Sequence, residues 1–119
     1  MKTIRIEAYP NADCDPDNLI GSIELRGKKR LNHIEILIDE TILSSINSNS
    51  KDVTGFIKEL KDLCYAYNIE INRPNTLRVT TGNRSSIHML KLIEINYHAF
   101  RPDGAPTRAL IKLELADIV

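Results

Sequence analysis

The stretch SSIHMLKLIEINYHAF (residues 85–100), the linker Arg101-Pro102-Asp103-Gly104-Ala105 and the stretch PTRALIKLEL (residues 106–115) together decide the fold. In the first run Ile87, Met89, Ile93, Ile95, Tyr97 and Ala99 share one face, interrupted only by Lys91. In the second, Ala109, Ile111, Leu113 and Leu115 share one face, with Lys112 and Glu114 opposite. Side chains alternate across a strand, so the pattern predicts two long, half-buried, antiparallel strands. In the connection Pro102 suits the second position of a turn, and Gly104 accepts a positive φ. Pro106 has no N–H to give, so the ladder is expected to stop short of the turn there.

The hairpin carries a family resemblance. Phe100, Pro102, Asp103, Gly104, Pro106, Arg108 and Ala109 match a C-terminal signature often written F-D-P-D-G-T-P-L-R-A. It is similar to that of the tube and tube-to-baseplate adaptor proteins of contractile, phage-tail-like injection systems. Arg101, Ala105 and Thr107 depart from the signature; Asp103, across the same turn, is the expected intrachain partner of Arg108, with an acidic group on an adjacent subunit as the alternative. The preceding segments resemble the adaptor type: a helix, then a basic-Pro-x-x-Leu strand, then the long hairpin. Thr81-Gly82 stands where Trp-Gly is usual, and the chain has no tryptophan. The resemblance covers residues 52–119 and implies a structural subunit, not an enzyme and without a cofactor. It also implies homo-oligomeric rings, typically hexameric, whose sheets continue from subunit to subunit. Such a ring would belong to the inner tube or to the adaptor, with neighbouring tube, spike or baseplate proteins as partners. It would assemble in the cytoplasm and then form part of the particle. Adaptors of the family usually carry a peptidoglycan-binding LysM domain, and this sequence stops just after the hairpin.

Upstream, Asp52 to Asn68 reads as one amphipathic helix. Val53, Phe56, Ile57, Leu60, Leu63, Cys64 and Tyr67 fall on one stripe, with Ser50 or Asp52 as N-cap. From Ile71 to Gly82, Pro74 opens a strand in which Leu77, Val79 and Thr81 alternate with Arg78 and Thr80. In the N-terminal half Ile4, Ile6 and Ala8 suggest one strand, and Leu19, Gly21, Ile23 and Leu25 a second. Ile34 to Ile38 suggests a third, and Thr41 to Ser50 a loop with one helical turn around Ile42 and Leu43.

Composition narrows the function classes. The 119 residues suit one domain (1–119) with a single core. Sixteen basic residues balance sixteen acidic ones, which argues against nucleic acid as the main partner. No apolar run is long enough for a membrane-spanning helix, and no apolar segment follows Met1-Lys2-Thr3-Ile4-Arg5 as in a signal peptide. Two cysteines without metal or redox spacing suggest a reducing compartment, with Cys64 in the core and Cys14 in an acidic loop.

Two local clusters carry alternative readings. Asp13, Asp15, Asp17 and Glu24 occupy positions 1, 3, 5 and 12 of a calcium loop. Asn18 stands at the required glycine, and both flanks have strand rather than helix periodicity. A solvated acidic loop is one reading; a small soluble binding module using this loop, with or without calcium, is the other. The basic run Arg26-Gly27-Lys28-Lys29-Arg30 is either a solvated hairpin tip or a contact with an acidic neighbour in an assembly. His33, His88 and His98 lack metal-ligand spacing, and Ser45, Ser85 and Ser86 lack nucleophile-elbow glycines.

Leu90, Leu92 and Phe100 lie opposite the main apolar face of the long strand. Either a bulge near Lys91 swaps the faces, or a partner subunit covers Leu90 and Leu92. The expected architecture is α+β: a mostly antiparallel barrel or sandwich of about six strands with one flanking α-helix, tail-tube-like by resemblance.

Overall fold

The computed structural model describes residues 2–45, 52–65, 67–68 and 73–118. Six strands close an antiparallel barrel. Strand β1 spans Lys2–Tyr9, β2 Gly21–Arg30, β3 His33–Asp39, and helix α1 Glu40–Ser45. Helix α2 spans Val53–Tyr65; a small ribbon pairs β4 (Tyr67–Asn68) with β5 (Arg73–Pro74). The chain continues through β6 (Thr76–Thr81), β7 (Arg84–Phe100) and β8 (Pro106–Asp117). The barrel runs in the order β1-β2-β3-β8-β7-β6 and returns to β1.

The barrel interior follows from two-residue alternation. Ile4, Ile6 and Ala8 of β1, Ile23 and Leu25 of β2, and Ile34, Ile36 and Ile38 of β3 are all buried. Leu77 and Val79 of β6, and Ala109, Ile111, Leu113 and Leu115 of β8, complete the lining. Leu19, expected to continue the β2 face, is 40 % exposed, because the strand begins only at Gly21.

Helix α2 covers the end of the barrel where β2 and β6 begin. Asp52 is its N-cap: the carboxylate accepts from the Gly55 N–H at 2.6 Å and the carbonyl from Phe56 at 3.0 Å. Val53, Phe56, Ile57, Leu60 and Cys64 bury one face. On the other, Lys58 Nζ donates to Asp62 at 2.8 Å. The helix ends at Tyr65 rather than at Asn68. Tyr67 and Asn68 pair with Pro74 and Arg73, and Asn75 Nδ2 donates to the Leu63 carbonyl at 3.3 Å, satisfying a group in the last turn. Ser50, Ile71 and Asn72 lie outside the described residues. The helical turn at Ile42 and Leu43 is α1; Asp39 Oδ1 caps it by accepting from Ile42 N–H at 2.7 Å.

Strand β7 resolves the two-faced pattern. Its pairing with β8 shifts between Leu90 and Leu92, leaving Lys91 as an extra residue. Below this bulge His88 and Leu90 face inward; above it Ile93 and Ile95 do. Ile87, expected inside, is 39 % exposed on the outer surface. Leu90, expected as a candidate interface residue, is a core residue at 6 % exposure, whereas Leu92 is 52 % exposed.

Two interior positions constrain the barrel tightly. At Gly27, β2 pairs with both Lys2 of β1 and Ile36 of β3. A Cβ there would lie 2.4 Å from the Glu35 carbonyl oxygen. Gly27→Ala is therefore expected to lower stability by about 1–3 kcal/mol, measured by chemical denaturation. An unchanged denaturation midpoint would contradict the close approach. The other position is His88, 3 % exposed, whose Nε2 lies 2.7 Å from Ser86 Oγ. Burial holds its pKa below the ordinary 6.5; Lys29 pushes the same way and Asp117 opposes. Because the folded state holds the proton more weakly than the unfolded chain, stability is present above the ordinary histidine range and is lost as pH falls through it. The melting temperature should drop between about pH 7 and pH 5, and the slope should flatten in His88→Gln. Equal slopes in both proteins would exclude His88 as the cause.

Candidate functional site: the long hairpin and its tip

Strand β7 has 17 residues and outgrows the strand beside it. Its pairing with β6 covers only Arg84–His88, whereas its pairing with β8 runs on to Phe100. Beyond His88, no described strand pairs with the other edge of β7. Unpaired N–H and C=O groups along a strand edge are a template for another strand. Two further bulges, at His98 on β7 and Thr107 on β8, bend the upper part of the hairpin.

The tip is a tight turn built as its residues require. Gly104 N–H donates to the Arg101 carbonyl at 2.9 Å, and Arg101 N–H donates to the Ala105 carbonyl at 2.8 Å. Asp103 Oδ1 accepts from Ala105 N–H at 2.9 Å. Gly104 holds φ +91°. The ladder reaches the turn despite Pro106, which pairs with Phe100 at the start of β8. The bond adjoining the turn uses the Arg101 N–H, so the missing proline donor costs nothing at that point.

Two arginines tie the tip to the β3–α1 junction. Arg101 forms an ion pair with Glu40. Arg108 Nη2 lies 4.0 Å from Asp39 Oδ2, the carboxylate that caps α1. Asp103, the expected intrachain partner of Arg108, is instead engaged by the turn backbone. The strand register explains the change: Arg108 sits directly opposite Asp39. Ala109 is fully buried, whereas Phe100 is 60 % and Tyr97 43 % exposed. Their rings pack against each other with centroids 6.4 Å apart. Tyr97 continues the face of Ile93 and Ile95 opposite Ala109, whereas Leu92, 52 % exposed, lies on the other face opposite Glu114.

The other candidate groups are arranged differently. Glu24 lies on β2 with its carboxylate 3.8 Å from Arg5, away from the carboxylates of Asp13, Asp15 and Asp17. Asp13 and Asp15 each accept a backbone N–H within their own loop. Among the described residues no three His, Cys, Asp or Glu side chains are placed to hold a metal ion. Cys14 is buried beneath its loop, and burial raises its thiol pKa. Cys64 is fully buried, with its pKa pushed up to about 12. Ser86, His88 and Asp117 fall in a row that spacing did not reveal, because Asp117 comes in from β8. The row has the membership of a hydrolase relay without its geometry. His88 Nδ1 lies 3.0 Å from Asp117 Oδ1, but Ser86 lies on a regular strand rather than at a sharp turn.

The family model for the contractile injection system tube protein matches residues 26–119. The chain belongs to that family. A search of the curated proteins found no match. The family assignment makes the chain a structural, tube-type subunit of a contractile injection system. The matched segment begins in the second half of β2 and includes the whole hairpin. No helix among the described residues is long and apolar enough to cross a membrane.

The turn geometry generates a direct test. A Cβ at Gly104 would meet nothing within 4 Å, so only the backbone conformation resists a side chain. Gly104→Val should cost about 1–2 kcal/mol in thermal or chemical denaturation. A melting temperature equal to that of the parent would exclude the left-handed turn.

Proposed function

We propose that the tube protein forms a closed ring, of six copies as the family resemblance implies, as a layer of the inner tube of the particle. The observation that carries the reading is the edge of β7 beyond His88, which no described strand pairs. A neighbouring copy's strand would complete this edge and cover Leu92, Tyr97 and Phe100. A six-stranded barrel closed elsewhere offers few other backbone edges, which directs association to this one. Arg101 and Arg108, anchored to Glu40 and Asp39, hold the hairpin at a set angle to the barrel. Spike and baseplate proteins are the expected partners at the ends of the tube, with assembly in the cytoplasm. A tube-to-baseplate adaptor would differ in forming one terminal ring rather than a stack.

Purified protein at micromolar concentration is expected to give rings by electron microscopy and a discrete oligomer by mass photometry. A strict monomer, with or without its baseplate partners, would overturn the reading. Arg108→Ala should leave the barrel folded, since the Asp39 pair is partly exposed and contributes about 0–1 kcal/mol. Ring yield should nonetheless fall, with Arg108→Lys restoring only part of it because a point charge lacks the planar fork. Equal ring yield in Arg108→Ala would remove this residue from the interface.

A further inference from the structure

Strand β2 joins two chemically opposite ends of the barrel. At its start lies the loop 10–20, with Asp13, Asp15 and Asp17 all exposed. Among the described residues none of the three takes part in an ion pair. Beside them Leu19 and Ile20 are 40 % and 52 % exposed. The loop is held in place where Ile20 N–H donates to the Ala8 carbonyl at 2.8 Å.

At the far end of β2, roughly 30 Å away at strand spacing, lies the two-residue turn Leu31-Asn32 into β3. Lys28, Lys29 and Arg30 approach it; Lys2 at the start of β1 and Arg84 at the foot of β7 lie on the same end of the barrel. Glu35, opposite Lys28, is the nearby acidic group on β3. Leu31 is 83 % exposed and holds φ +53°. A tight turn with positive φ normally takes glycine or asparagine, and an isolated surface normally takes a polar residue. Leucine is unfavourable on both counts. The turn is nevertheless fixed: Asn32 carbonyl accepts from Leu115 N–H at 2.7 Å, and Lys29 Nζ donates to the Leu31 carbonyl at 3.0 Å. A strained, exposed, rigidly mounted apolar side chain marks a contact point.

We propose that this turn is the plug of a head-to-tail contact between copies of the chain. Leu31 seats against Leu19 and Ile20 of the next copy, and Lys28, Lys29 and Arg30 face its Asp13, Asp15 and Asp17. Charge complementarity selects a second copy as the occupant: Asp13, Asp15 and Asp17 lie exposed at the start of β2, and Lys28 and Arg30 lie exposed at its end. Knob and acceptor are different surfaces at opposite ends of β2, so the contact is heterologous, and with the lateral contacts closing the ring it propagates from copy to copy along the stack. That is the contact that successive rings of a tube require, and the inference rests on the ring reading above.

The test compares tube length by electron microscopy and sedimentation for the parent and three variants, with folding checked by circular dichroism. Leu31→Gly relieves the turn and keeps the fold. It is expected to leave rings intact and to reduce stacked material at least about tenfold. Lys28→Glu with Arg30→Glu should do the same, and adding Asp13→Lys with Asp17→Lys should restore stacking. Stacking of the parent should weaken steeply with added salt. Rings that stack equally well in Leu31→Gly and in the charge-reversed variant would overturn this contact and leave the ring reading standing. A parent that forms no rings would overturn both.

Discussion

The extra residue at Lys91 is the constraint on which the rest of the hairpin depends. Side chains alternate along a strand, so one unpaired residue exchanges the inner and outer faces of everything beyond it. Below Lys91, β7 sends His88 and Leu90 into the barrel and closes it against β6. Above, it sends Ile93 and Ile95 inward while pairing with β8. A regular strand would expose one of these two sets. Burying an aliphatic side chain contributes about 1.5–3 kcal/mol. The bulge lets a single strand serve both as a barrel stave and as an arm that reaches past it. Ile87 is left outside as the consequence.

The polar contacts around the arm orient it more than they stabilise it. Arg101–Glu40 and Arg108–Asp39 join partly exposed groups, where an ion pair contributes about 0–1 kcal/mol. Asp39 also caps α1, so the angle of the arm, the end of β3 and the start of α1 are coupled through one carboxylate. The arginine two residues after the second proline of the turn takes part in this coupling. It sits opposite Asp39 in the register, and register rather than the turn sets its partner.

Barrel closure also bears on how a tube-family protein presents itself to neighbours. Closed strands have no edges to offer, which protects the chain from indiscriminate sheet pairing. What the barrel leaves exposed includes the unpaired edge of β7 beyond His88 and the side chains of Phe100, Leu92 and Leu31.

Much of this was legible in the linear pattern, and the boundary between what was and what was not is instructive. Alternation identified β1, β6 and β8 with their inward residues, a short apolar run marked β3, and helical spacing identified α2 with Ser50 or Asp52 as its cap, of which the structure shows Asp52. Those signals are local: a two- or 3.6-residue period states which side chains share a face. The turn residues Pro102, Asp103 and Gly104 were equally readable, since each has its own preferred backbone geometry. The hairpin residues also carried the family. What the sequence by itself left open was everything set by pairing between distant segments. It could not choose between a bulge and a covered face at Lys91, because both give the same string of residues. It pointed Arg108 to Asp103, the nearer carboxylate along the chain, whereas the β3–β8 register supplies Asp39. It gave no reason to suspect that Leu31 stands strained and exposed, or that Asp117 meets His88. Closure into a barrel was decided only in three dimensions, because it requires β1 to pair on both sides at once, and no local period encodes which strands will meet.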